Sequence, residues 1–285
     1  MSGADCTPYF LESPQGGLFA VHHRPAGSMT PLGNMLCVAP FNEEMNRCRS
    51  MITLQARAWA ALGWGTLLID LHGTGDSAGE YVDARWSLWR QNLDAAWQWL
   101  ERQPGGCRGV WGLRLGAILA SELHASHGDA SVRLLLWQPV LDGKTHLTQF
   151  MRVKIAAQID RPDLPKATTN GMRAQLAAGE SIEIAGYEIH PELAQAIDLA
   201  KLADHRPAAG TPVMWIENAA PEQAELAPAS RALLEKWSAA DVRVSSMACA
   251  GPAFWQVHER VLTPSFIDAS TAWLAKFPDS ARAAA

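Results

Sequence analysis

The run Val110-Trp111-Gly112-Leu113-Arg114-Leu115-Gly116-Ala117 places two glycines around a central residue at the spacing of a Gly-x-Ser-x-Gly turn, where a strand breaks sharply into a helix and presents a nucleophile. The central residue here is Arg114. A guanidinium, with a pKa above about 12, cannot be activated by a neighbouring base and cannot attack a carbonyl. What it brings to a helix start is charge. Unpaired amides and the helix dipole already favour anions there, and the planar fork fits a carboxylate or phosphate. The alternative is an internal pair with Glu43, Glu44 or Glu217.

Upstream, Ala39-Pro40-Phe41-Asn42-Glu43-Glu44-Met45-Asn46-Arg47 leaves an apolar run. In acyl transfer on such a scaffold, this position supplies one backbone donor to an oxyanion, and the residue after the elbow, here Leu115, supplies the other. Phe41, Asn42, Glu43, Glu44, Arg114 and Leu115 are therefore the expected pocket lining, with the two glutamates read as loop residues. An acid would follow the run Val213 to Ile216, which points to Glu217, with Glu222 as the alternative. A histidine belongs in the loop after the next strand, but Cys249-Ala250-Gly251-Pro252-Ala253-Phe254 puts Pro252 there and leaves His258 as the nearest imidazole. His22 and His23 come too early in the chain. Glu217 and His258 are the remaining catalytic candidates. Loss of both serine and histidine from a triad removes about 10⁶ in turnover, while the oxyanion donors and binding alone retain roughly 10³ to 10⁴ over water. In Asp70-Leu71-His72-Gly73-Thr74-Gly75-Asp76-Ser77, the side chains of Asp70, His72 and Asp76 are of metal-ligating types, but the glycines make the loop a turn; no metal or cofactor is expected.

These groups need a scaffold that brings strand ends together. Short apolar runs alternate with helix-length amphipathic stretches, the pattern of a mostly parallel sheet flanked by helices. Strands are expected at Leu18 to His23, Met35 to Ala39, Gly65 to Leu71, Gly109 to Trp111, Val132 to Trp137, Pro212 to Glu217 and Val242 to Met247. Helices are expected at Arg49 to Leu62, Ala84 to Gln103, Arg114 to about His127, Ala227 to Ala239 and from Thr263-Pro264 onward. Between the strands at Trp137 and Pro212 the rhythm breaks, with prolines at 162, 165, 191 and 207. We read residues 142–208 as a lid inserted between the sixth and seventh core strands of one α/β-hydrolase domain spanning 1–285, with a hairpin over Ile182 to Ile189 and a helix from Pro191 to Lys201.

Composition narrows the partners. The chain has 285 residues, 48% hydrophobic and 19% charged, with a formal charge of -5, which suits neither a nucleic-acid surface nor a disordered chain. Five scattered cysteines without a Cys-x-x-Cys pair suit reduced thiols. With no basic-then-apolar leader and no long apolar segment, a cytoplasmic protein without a membrane span is expected. Twelve tryptophans sit mostly at core spacing, leaving a protein-interaction surface as a minor reading.

The Pro-Phe-Asn-Glu-Glu-Met-Asn-Arg stretch, the Trp-Gly-Leu-Arg-Leu-Gly-Ala elbow, the Ala-Gly-Tyr at 185 to 187 and Gly251-Pro252-Ala253-Phe254-Trp255-Gln256 together resemble the exosortase A system-associated hydrolase 2 family over nearly the whole chain. The resemblance implies an α/β-hydrolase fold in bacteria that sort proteins by a short C-terminal anchor signal and make exopolysaccharide. It implies no substrate. Three functions follow: a non-catalytic or atypical hydrolase binding an anionic small molecule; an active ester hydrolase using water activated by Glu43, Glu44, Glu217 or His258; or a protein-interaction module.

Overall fold

The computed structural model describes residues 5–25, 31–127, 130–158, 166–220 and 225–277. The apolar runs form strands β1 (Asp5–Leu11), β2 (Leu18–Arg24), β3 (Gly33–Val38), β4 (Trp64–Ile69), β5 (Cys107–Leu113) and β6 (Arg133–Trp137). The two-residue-period hairpin β7 (Ile182–Ile184) and β8 (Tyr187–Ile189) follows, and then β9 (Pro212–Ala219) and β10 (Arg243–Ala250). Eight of them make one sheet in the order β1-β2-β4-β3-β5-β6-β9-β10. Strands β1, β2 and β4 pair antiparallel; every other neighbouring pair is parallel. β3 and β4 are buried at every residue, as a strand covered on both faces requires.

The helices divide between the faces. α1 (Glu43–Ala61) and α8 (Pro264–Leu274) cover one face with a core that includes Trp59, Trp111, Trp137 and Phe266. α2 (Trp86–Glu101), α3 (Gly116–His127) and α7 (Pro228–Ser238) cover the other over Leu93, Ile118, Leu134, Trp215 and Trp237. Indole rings knit the first face: Trp59 meets Trp111 at 4.9 Å and Trp111 meets Trp137 at 4.7 Å, both edge-on.

Between β6 and β9 stand α4 (Gly143–Ala157), α5 (Thr169–Ala177), the β7–β8 hairpin and α6 (Pro191–Leu199). An isolated bridge between Asp142 and Lys201 closes the base of this insertion. Leu147, Met151, Ile184 and Ile197 join the apolar cluster over the sheet. At the hairpin turn, Ala185 and Gly186 both have positive φ, 52° and 86°, the geometry that matches the twist of a two-residue hairpin.

Three expectations change. β1 is an additional edge strand, too polar and too exposed to register as an apolar run. α1 starts at Glu43, six residues before Arg49, so Glu43 and Glu44 form its first turn, where their charge complements the helix dipole. The insertion also contains α4 and α5, of which α4 carries a buried face of His146, Leu147 and Met151.

Candidate functional site

The elbow forms as its glycines demand. A Cβ on Gly116 would fall 2.3 Å from the Ala39 carbonyl oxygen, and one on Gly112 would fall 2.6 Å from the Ala117 Cα, so neither position accepts a side chain. Between them Arg114 takes φ 52°. Asn42 after β3 and Gln138 after β6 take 52° and 42°, so three non-glycine residues at the ends of neighbouring strands hold left-handed backbones. Each costs on the order of 1–3 kcal/mol, a strain that concentrates at functional sites. The Arg114 amide donates to the Trp137 carbonyl at 3.1 Å, and its own carbonyl accepts from Val140 at 3.1 Å and from Ala117 at 3.1 Å.

The side chain of Arg114 is not free. Its Nε donates to Glu44 at 3.1 Å and 3.2 Å, and an Nη stands 3.1 Å from the same carboxylate. The other Nη reaches the Gln138 carbonyl only at 3.4 Å, and the guanidinium lies 5.4 Å from the centre of the Trp255 ring. Burial pushes the Glu44 carboxyl above its ordinary value, and Arg114 offsets part of that rise. The expectation of an anion-favouring turn therefore changes, because the guanidinium already has its carboxylate.

Two cavities meet at Phe41. The first, about 210 Å³, is walled mainly by Pro40, Phe41, Ile69, Trp89, Leu115 and Leu119, with Asn42 and Tyr81 among its polar groups. The Tyr81 hydroxyl donates to Asn42 Oδ1, and burial raises the phenol well above its ordinary value. Among the described residues neither the Leu115 amide, the donor expected after the elbow, nor the Phe41 amide in the stretch expected to supply the other makes a hydrogen bond. The second cavity, about 590 Å³, is lined by Arg114, Glu43, Glu44, Arg47, His146 and Phe150, together with Trp255 and His258. Its two carboxylates and two guanidinium groups balance. Glu43 accepts from the Tyr187 hydroxyl at 3.1 Å, and burial followed by Glu43 pushes that phenol up to about 12.

Of the expected site residues, Phe41, Glu43, Glu44, Arg114 and His258 share the larger cavity, while Asn42 and Leu115 line the smaller. His258 is exposed in a bend, with Arg47 Nη2 3.4 Å from both ring nitrogens. Glu217 lines neither cavity. It is buried and accepts from Trp215 Nε1 at 2.8 Å, from the Ala227 amide at 2.9 Å and from the Ser230 hydroxyl, so it ties β9 to the start of α7. Its carboxylate oxygens are taken up by these three donors. Glu222 lies outside the described residues.

Asp70 accepts from the Asp76 amide at 3.1 Å and pairs with Arg49, which makes its loop a braced turn. Ten of the twelve tryptophans are buried and the other two, Trp86 and Trp99, are half-buried, which removes the basis for a tryptophan interaction surface.

The group the sequence reading missed is His146. It is 7% exposed, lines the larger cavity and packs edge-on against Phe41 at 5.9 Å. Burial first, and Arg114 second, lower its pKa to about 3, so it is neutral. Its position in the insertion, behind an Asp142 N-cap whose carboxylate accepts from the Thr145 amide at 2.7 Å, gave no motif to find.

No family model matches the chain, and no curated protein matches it in sequence. Solved structures do. Est1E from Butyrivibrio proteoclasticus with ferulic acid bound superposes with a TM-score of 0.64 at 12% identity, over 94% of this chain and 98% of that one. XC6422 from Xanthomonas campestris, an α/β serine hydrolase without a lid, gives 0.56 at 13% identity, over 95% and 94%. DcsB in complex with its substrate analogue gives 0.62 at 15% identity, over 95% and 99%. Among the described residues no helix is long and apolar enough to cross a membrane. The strand order, the elbow and these likenesses agree: the chain has the α/β-hydrolase fold.

Proposed function

We propose that this protein holds a small, mainly apolar molecule at a hydrolase-type elbow and does not cleave it by acyl transfer. The observation that carries the reading is residue 114: the position of the nucleophile has its left-handed backbone, but its side chain is a guanidinium locked on Glu44. The apolar wall of the smaller cavity, the two available amides and the charge balance of the larger cavity support an occupant that is uncharged where it meets Arg114. On this reading residues 142–208 act as a lid within one domain, the protein works in the cytoplasm, and its setting is the one the family resemblance implies, protein sorting and exopolysaccharide production.

Methyl ferulate, the uncharged ester of the acid bound in the Est1E neighbour, is a suitable first probe. Titration into the wild-type protein followed by thermal unfolding is expected to raise Tm, since a ligand that binds only the folded state stabilises it by RT ln(1 + [L]/Kd). A series of aryl esters is expected to show the same stabilisation and no hydrolysis above buffer. Ester turnover that disappears in Arg114→Ala would overturn the reading.

A second reading has one observation in its favour. The Glu44 carboxyl is raised by burial, and the Phe41 and Leu115 amides are unoccupied, an arrangement that suits a carboxylate base with a stabilised oxyanion. Turnover lost in Glu44→Gln but kept in Glu217→Gln would favour it.

A further inference from the structure

The insertion contributes a polar group that the elbow chemistry does not use. The His146 imidazole makes no hydrogen bond to any described residue, and its Nε2 is buried without a partner. Leaving a buried nitrogen unsatisfied costs about 1–3 kcal/mol, and Arg47 Nε and Trp255 Nε1 on the same cavity are buried without partners too. The ring belongs to the wall of the larger cavity, which Arg114, Phe150 and Trp255 also line.

We propose that this cavity takes an uncharged aromatic molecule bearing a hydroxyl, and that the hydroxyl donates its hydrogen bond to the His146 imidazole. The proposal rests on the reading that the elbow cavities hold a ligand, and adds its class.

Three features select that class. A neutral imidazole has one acceptor nitrogen and one N–H, so a hydroxyl, which both donates and accepts, complements it in either tautomer. The walls are aromatic: Phe41 meets His146 at 5.9 Å and Phe150 at 5.4 Å, both edge-on, and Trp255 lies beyond Arg114. Offset and edge-on contacts to such rings favour another aromatic ring over an alkyl group. Finally, Arg114 has one long contact, 3.4 Å to the Gln138 carbonyl, and a hydroxyl can donate to His146 while its oxygen accepts from that nitrogen. A carboxylate cannot donate to His146 and would compete with Glu44 for Arg114. The role of His146 is hydrogen-bond acceptor rather than base, since a group that titrates near 3 takes no proton from a hydroxyl at neutral pH.

The test compares 2-naphthol with 2-methoxynaphthalene by calorimetric titration of the wild-type protein, His146→Phe and His146→Gln, with glucose as a non-aromatic hydroxyl control. Wild type is expected to prefer naphthol by about tenfold or more, the worth of one buried hydrogen bond. In His146→Phe the preference is expected to fall below about twofold, mainly through weaker naphthol binding. His146→Gln, which keeps a polar tip, is expected to retain part of it. If His146→Phe does not fold, the imidazole nitrogen shifts of the wild type on naphthol titration give the same answer, moving with naphthol and not with its ether.

Equal binding of naphthol and its ether, or a preference indifferent to His146, would overturn the hydroxyl assignment and leave cavity binding standing. Binding of glucose without naphthol would overturn the aromatic class. Binding of none of the three, with methyl ferulate also inert, would remove the underlying reading as well.

Discussion

Arg114 Nε stands 3.1 Å and 3.2 Å from the two carboxylate oxygens of Glu44, at the point where a serine hydrolase of this fold would hold its nucleophile. The two side chains are only 13% and 18% exposed. A pair that buried stabilises little in total, but removing one partner leaves the other charged and alone at a cost of about 3–5 kcal/mol. Glu44→Leu and Arg114→Met are therefore each expected to lower the urea midpoint strongly, while the double variant carrying both costs much less than the sum of the two. Additive losses in that cycle would show that the pair is not coupled.

The buried imidazole gives a pH dependence with a definite sign. His146 titrates near 6.5 when unfolded and near 3 when folded, so between those values the unfolded chain binds the extra proton. Its contribution is undiminished above pH 6.5 and is lost as pH falls toward 3, with a limiting slope of about 1.4 kcal/mol per pH unit. Burial lowers His22 and His23 too, in the same direction. Glu44, raised by burial, acts oppositely and loses stability as pH rises past its unfolded value. Urea unfolding from pH 4 to 7 should thus show a shallower slope in His146→Phe than in wild type, by up to one proton; identical slopes would mean that His146 is not held neutral.

Glu217 is bonded to three buried donors and lines neither cavity, so its loss is expected to affect stability and not the cavities. Glu217→Ala abandons the Trp215, Ala227 and Ser230 donors and should cost roughly 2–3 kcal/mol. Calorimetric affinity for any cavity ligand should be unchanged, and a large loss of affinity would return Glu217 to the site.

Gly116→Ala tests the elbow itself. Its Cβ would sit 2.3 Å from the Ala39 carbonyl, so β3 and α3 must separate, at a cost of about 1–3 kcal/mol. A variant as stable as wild type by urea unfolding would mean that the close approach is not enforced.

The sheet and the elbow were legible in sequence because they rest on local rules, apolar runs for covered strands and glycines for close approach. The hairpin at Ala185-Gly186 was legible for the same reason. The start of α1 was not, because Glu43 and Glu44 read as a solvated loop until the tertiary fold buries Glu44 against Arg114, a residue seventy positions away. His146 was invisible because nothing in its helix marks it; only the docking of α4 onto Phe41 gives it a site. Glu217 was placed at the correct strand end, but its side chain turns with Trp215 toward α7, which alternation along a strand decides only once its neighbours are known.

The most direct measurement is ester hydrolysis by purified wild-type protein and Arg114→Ala across a panel of acyl chain lengths and aryl leaving groups. An elbow whose central residue is a paired guanidinium gives both proteins the rate of buffer alone, and Arg114→Ser, still lacking a histidine at Pro252, gives no recovery. Wild-type turnover that vanishes in Arg114→Ala would contradict it.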